Sequence, residues 1–355
     1  EWGTVSAQGV MAALEEVSVR FETLEAVRDR RAFAKQVQED SILAPYVQGL
    51  TTVATRWVSK REVLVQQRRD EAWKRRNRSA GMAMNALGAV AHAASSDRTI
   101  EEQVDEEEVR LEVLCAVVAS ARYCIAALEE VAESPVLLSL QGGDADEEGV
   151  FQDSHVEFSA LARQCQNAVA RAISQDLADA SADYRPQGRL WTEAVRDRAA
   201  IPLPEVSPAI IDAVGGLRAS LHISRTHLPP AALAQVWRDA AGQIDASLFK
   251  HIQEGEKVSA SGAAQLAEDM AAVTRQFAPF TRKPENFLKR VKEALRILTL
   301  PLAEAQGLWT RLKKPDPRAP SSLPSEEDLL SPIGVFLLTV EEARAIAAKR
   351  ADLQS

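Results

Sequence analysis

The sequence predicts an all-α fold, and three observations carry the prediction. Apolar residues recur three and four positions apart over long stretches, the spacing of one helix face. Alanine, the strongest helix former, is used heavily, while aromatics make up only 5% of the chain. Runs rich in Val, Ile, Thr and aromatics, which strands favour, are short and few. With 355 residues and 46% hydrophobic content, the chain exceeds what a single core usually serves. Consecutive helical bundles are therefore expected rather than one globule.

The first helical segment runs from Val10 to Val47, with Leu14, Val17, Phe21, Leu24 and Val27 on one stripe. Pro45 interrupts it, and a second stretch covers Gln48 to Ala94. A third runs from Val109 to Glu133, its apolar side formed by Leu111, Leu114, Val118, Ile125 and Leu128. Ser134-Pro135 and Gln141-Gly142-Gly143-Asp144 then break the pattern. The acidic loop ends at Gly149, the best candidate boundary. A helix from Ser154 to Tyr184 follows, and Ile201-Pro202-Leu203-Pro204 reads as an extended connector. Ser207-Pro208 has the form of an N-cap followed by proline at the first helical position, and Pro229-Pro230 stops that helix. Further helices cover Ala231 to Ile252, Ser261 to Phe277 and Pro284 to Leu300. Thr339-Val340-Glu341-Glu342 is a capping box opening the last helix. The expected division is residues 1–149, residues 150–312, and a proline-rich connection with a helical cap over 313–355. That cap should pack back on the second bundle and cover Val335-Phe336-Leu337-Leu338.

The net charge of −9, with acids and bases interleaved, argues against a general nucleic-acid binder. Cys115, Cys124 and Cys165 lack CxxC spacing, and their odd number fits a reducing compartment. No apolar run approaches the ~20 residues that span a bilayer, and no signal peptide opens the chain. Glu1 in place of Met suggests a fragment or a processed product.

Enzyme motifs are absent: there is no GxGxxG, P-loop, HExxH, GxSxG or DDxxD. His92, His155, His222, His227 and His251 are scattered, and the five-residue spacing of His222 and His227 puts them about 140° apart on a helix. Cys115 and Cys124 read as packing residues rather than nucleophiles. Asp144-Ala145-Asp146-Glu147-Glu148-Gly149 resembles the start of a calcium loop. Its twelfth position is His155, however, where a bidentate Glu should close the shell. No cofactor, metal or small-molecule substrate is expected.

Two charge clusters are stronger signals. Lys60, Arg61, Arg68, Arg69, Lys74, Arg75, Arg76 and Arg78 crowd one helical stretch with Trp57 and Trp73 among them. Asp105, Glu106, Glu107 and Glu108 open the next helix, where its dipole favours them. The basic stretch is the one candidate binding surface, for an anionic lipid or an acidic partner. The plainer reading, a solvated helix face, comes first.

The order of motifs in the second half is familiar. Ile244-Asp245-Ala246-Ser247-Leu248-Phe249 precedes Val258-Ser259-Ala260-Ser261-Gly262-Ala263-Ala264-Gln265-Leu266-Ala267-Glu268-Asp269. Pro284-Glu285-Asn286-Phe287, Ala294-Leu295-Arg296-Ile297-Leu298-Thr299-Leu300, Ile333-Gly334-Val335, Leu338-Thr339-Val340-Glu341-Glu342-Ala343 and Arg350 follow. This resembles the C-terminal half of the RINT/Tip-twenty family, helical subunits of the Dsl (NRZ) tethering complex. Ser247 and Phe249 stand where the family usually has an aromatic pair, and Gln265-Leu266 where it has Gln-Phe. The first half fits more loosely, through Phe21-Glu22-Thr23-Leu24 and Val150-Phe151.

The resemblance implies an elongated rod of consecutive helical bundles. It also implies a non-enzymatic role at the cytoplasmic face of the endoplasmic reticulum (ER), with peripheral membrane attachment through partners. Those partners would be the N-terminal domain of an ER SNARE and sister tethering subunits, in the capture of Golgi-derived COPI vesicles during retrograde transport. A membrane-surface or nucleic-acid-binding module using residues 60–78 is the alternative. A helical enzyme would instead require a pocket with converging polar groups.

Overall fold

Helix α1 (Val5–Phe21) sets the pattern of the first half, with Ala7, Met11 and Leu14 spaced by three and four and buried. A computed structural model describes residues 3–21, 24, 26–85, 109–133, 151–184, 206–312 and 329–353. The calcium-like loop, the acidic run 105–108, the 201–204 connector and the segment 313–325 lie outside the described residues, as does His92. By internal contacts the chain forms two compact units. One comprises residues 1–169 with 224–232, the other residues 170–223 with 233–355.

In the first unit, the helix expected over Val10 to Val47 is divided. Helix α1 stops at Phe21, and α2 (Val27–Phe33) restarts after Ala26, whose backbone is extended. Asp29 and Arg30 donate their amides to the Ala26 carbonyl, and Arg30 Nε donates to the Leu24 carbonyl at 2.6 Å. A side chain thus satisfies a backbone acceptor that the helix break leaves open. From Ala34 to Leu43 the coil widens into a π-helix, which passes directly into α3 (Ala44–Asn85). Its buried residues are Ala34, Gln38 and Leu43, four and five apart, matching about 4.4 residues per turn rather than 3.6. Pro45 lies in the first turn of α3, where its missing N–H falls beside the changed ladder. The proline therefore marks a change of helix type and does not end the helix.

Helix α4 (Leu111–Ala132) packs against α1 and α3. It corrects the reading that no apolar run nears bilayer length: its 22 residues are long and apolar enough to cross a membrane. Its burial is that of a core helix. Leu114, Val118, Ile125 and Leu128 are covered, and so are Val117, Ala119, Ala121 and Cys124 on its other sides. Helix α5 (Gln152–Ala180) follows, with Phe158, Leu161, Val169, Ile173 and Leu177 buried.

The second unit combines long and short helices. Helix α6 (Pro208–His227) starts on its proline, as Ser207-Pro208 predicts, and α7 (Pro230–Glu254) does the same on Pro230. Helix α8 (Ala260–Arg275) is capped by Ser259, whose side chain accepts from the Gly262 amide. The expected helix from Pro284 to Leu300 becomes a 3₁₀ turn, Pro284–Asn286, followed by α9 (Lys289–Leu298). Two Phe rings meet Trp237: Phe287 edge-on at 4.6 Å and Phe280 stacked at 5.9 Å. Helix α10 (Leu302–Leu312) and α11 (Val340–Ala347) complete the unit, and α11 packs on both α9 and α10. The predicted capping box is present in both halves, Thr339 accepting from the Glu342 amide and Glu342 from that of Thr339. A single bridge joins Val258 to the C-terminal segment, with Val258 donating to Lys349 and Ala351 to Val258.

Candidate functional site

The cysteines serve the core, and the described histidines are dispersed. Cys115, Cys124 and Cys165 are buried, and burial pushes each thiol up to about 12, far from a reactive thiolate. His222 and His227 lie exposed on α6, and His155 sits 3.2 Å from Glu129 on the first unit's surface. No group of three or more His, Cys, Asp and Glu among the described residues is placed to hold a metal ion.

Four buried charges in the second unit share one task. Asp245 on α7 accepts from the Arg290 and Val291 amides, satisfying the open first turn of α9. Burial raises its carboxyl, and those two amides oppose the rise. Asp269 on α8 accepts from the Tyr184 hydroxyl at 2.7 Å, the Ser207 amide and the Gln265 side chain. Glu293 on α9, only 8% exposed, accepts from three consecutive amides, Phe336, Leu337 and Leu338, at 2.9–3.0 Å. Arg350 reaches the Ile297 and Leu300 carbonyls at the end of α9, and Asp352 orients its guanidinium. Each side chain satisfies at least one backbone group at a helix end or loop. Asp245, Asp269 and Arg350 belong to motifs that carried the family resemblance, so those motifs record architecture.

A cavity of about 240 Å³ lies in the same unit, lined by Leu248, Ile252, Leu266, Met270 and Leu298 beneath Tyr184. Sequence reading missed it, because its walls come from segments far apart in the chain. His251, Glu254 and Glu256 also stand at its wall. The Tyr184 hydroxyl serves Asp269, and Lys349 Nζ donates to the Gly255 carbonyl at 2.6 Å.

The basic stretch lies on α3. Lys60 and Arg61 are half-buried, and the Arg61 guanidinium sits 5.6 Å over the ring of Trp57. Trp57 is itself buried, its indole N–H donating to the Arg110 carbonyl. Arg68, Arg69 and Lys74 are exposed, and Trp73 is 64% exposed beside them. Arg61 and Arg68, seven apart, share a face, whereas Arg69 and Lys74 point elsewhere at about 100° per residue. The side chains of Arg75, Arg76 and Arg78 lie outside the described residues. Sequence reading missed a second exposed apolar feature. Of the four residues expected to be covered, Val335 and Leu338 are buried, but Phe336 and Leu337 are not. Their backbone amides are held by the Glu293 carboxylate.

Packed helices with buried charges devoted to backbone ends define a large all-α protein built of helical bundles. A solved structure of the SNARE Sec20 bound to the Dsl1 complex subunit Tip20 shares this fold. The match has a TM-score of 0.52 and 15% identity, covering 72% of this chain and 44% of the matched one. The family model described as the RINT-1/TIP-1 family matches residues 3–350, and the chain belongs to that family. The RINT1-like protein of Drosophila melanogaster is 28% identical over 182 residues, which is 50% of this chain and 25% of that protein. The chain thus spans about a quarter of that relative and less than half of the matched Tip20 chain.

Proposed function

We propose that this chain is a non-enzymatic subunit of an ER tethering complex, binding the N-terminal domain of an ER SNARE at the cytoplasmic face of the membrane. In that reading it joins sister tethering subunits and captures Golgi-derived COPI vesicles in retrograde transport. The observation that carries the proposal is the family match over nearly the whole chain. The fold shared with Tip20, a subunit seen bound to the SNARE Sec20, supports it. So does the commitment of Asp245, Asp269, Glu293 and Arg350 to backbone groups, because such a protein needs rigidity and surface rather than tuned acids. A groove between amphipathic helices suits a SNARE helix anchored through spaced apolar residues.

Titrating the purified chain with the soluble N-terminal domain of an ER SNARE tests the proposal. A complex with Kd of about 1 μM or tighter is expected. Absence of association at about 100-fold higher concentration refutes SNARE binding by this chain. A second reading rests on the exposed Trp73 beside Arg69 and Lys74, which suits a membrane-surface or nucleic-acid-binding module. Neutralising Arg68, Arg69 and Lys74 together should abolish oligonucleotide or liposome binding if that surface acts, and leave SNARE binding intact.

A further inference from the structure

The second unit holds two large apolar side chains out of its core on a backbone that is fixed in place. Phe336 is 75% exposed and Leu337 53%, between the buried anchors Val335 and Leu338. Glu293 accepts from all three amides of residues 336–338. Gly334 enters the loop at φ +71°, a left-handed conformation that favours glycine, with the Arg296 guanidinium lying close over it. A rigid apolar pair facing water, with its backbone built to keep it there, marks an interaction site.

The charges around the pair are one-sided. Helix α9 exposes Lys289, Lys292 and Arg296, none of which makes an ion pair among the described residues. The acid on that helix, Glu293, is the buried one, and Arg290 is paired with Glu342. Glu341, at the start of α11, is the exposed acid nearest in sequence to the loop.

Two physical arguments select the occupant. The amides of 336–338 are already satisfied, so they have nothing to offer a partner strand. For the same reason they can enter a bilayer interface without stranding a donor. Shallow apolar insertion combined with adjacent cations is also the pairing that holds proteins on anionic lipid. We propose that the Phe336–Leu337 loop and the cationic face of α9 form a direct contact with an anionic phospholipid bilayer surface. This goes beyond the tethering reading, which assigns membrane association to protein partners, and it stands without that reading.

Flotation of the purified chain with vesicles of phosphatidylcholine, alone or mixed with phosphatidylserine, tests the contact. The chain should partition onto the mixed vesicles and release as salt rises. Replacing Phe336→Ser and Leu337→Ser together should lower partition about tenfold, since both side chains leave the interface. Lys289→Gln and Lys292→Gln should each lower it about fivefold. All of these positions are exposed, so unchanged thermal melts will show that the fold is intact, and SNARE binding measured alongside separates this contact from the tethering role. Equal partition onto neutral vesicles, no partition, or partition insensitive to these substitutions overturns the proposal. Loss of partition only when Arg68, Arg69 and Lys74 are neutralised overturns it in favour of α3. Capture of an acidic amphipathic peptide by the loop, without vesicle partition, overturns it in favour of a protein partner.

Discussion

The two units solve the problem of helix ends differently. The first is built on long helices, α3 with 42 residues, α4 with 22 and the greater part of α5, and its core is aliphatic and cysteine-rich. The second adds α9, α10 and α11, of only 10, 11 and 8 residues. Every helix leaves four amides and four carbonyls without internal partners, whatever its length. Short helices therefore carry proportionally more unpaired backbone, and burying them requires polar side chains to supply the missing bonds. Glu293, Asp245, Asp269 and Arg350 do so in the second unit. In the second unit these buried charges serve backbone groups at helix starts, helix ends and loops.

That contrast can be broken by substitution. Glu293→Ala leaves three amides without their acceptor and should destabilise the second unit by about 4 kcal/mol, measured by urea unfolding. Hydrogen exchange should speed at 336–338 while amides 111–132 keep their protection. Equal loss in both would show that the two regions are not separately stabilised. Leu114→Ala makes the reciprocal test. It empties part of a fully buried site and should cost about 3 kcal/mol through lost packing alone.

The smallest expected effect is a pH dependence confined to the second unit. The hydrogen bond from Arg350 holds the Asp352 carboxyl below the usual carboxylate range. Its contribution is therefore present above about pH 4, the unfolded value, and is lost as pH falls through the lower folded value. Asp352→Asn should flatten the acid limb of the stability curve relative to the parent chain. An unchanged limb would locate the acid sensitivity elsewhere.

Much of the fold was legible because apolar spacing and capping chemistry are local. Leu114, Val118, Ile125 and Leu128 fall on the predicted stripe and are buried, and Thr339–Glu342 forms the capping box its residues spell out. The break after Phe21 was not legible, because it depends on Arg30 reaching back to a carbonyl six residues earlier. The π-helix escaped for a related reason: a search at 3.6 residues per turn cannot register Ala34, Gln38 and Leu43 as one face. Glu293 looked like any surface acid among lysines and arginines. Only the return of the chain 43–45 residues later turns it into a buried acceptor. Phe336 and Leu337 were misjudged because an apolar run ordinarily means burial, and nothing local shows that a distant carboxylate holds the backbone out.

The π-helical segment also constrains how the chain can change in length. With buried positions four and five apart, the chain takes nine residues from Ala34 to Leu43, where two α-helical turns need about seven. Removing a single residue there would break that spacing and turn everything after it by about 80° around the axis. Trp57, Leu64 and Val65 would then rotate away from α4. Substitutions along this stretch are therefore expected to be tolerated more readily than a one-residue deletion, and homologous chains should align through it without gaps.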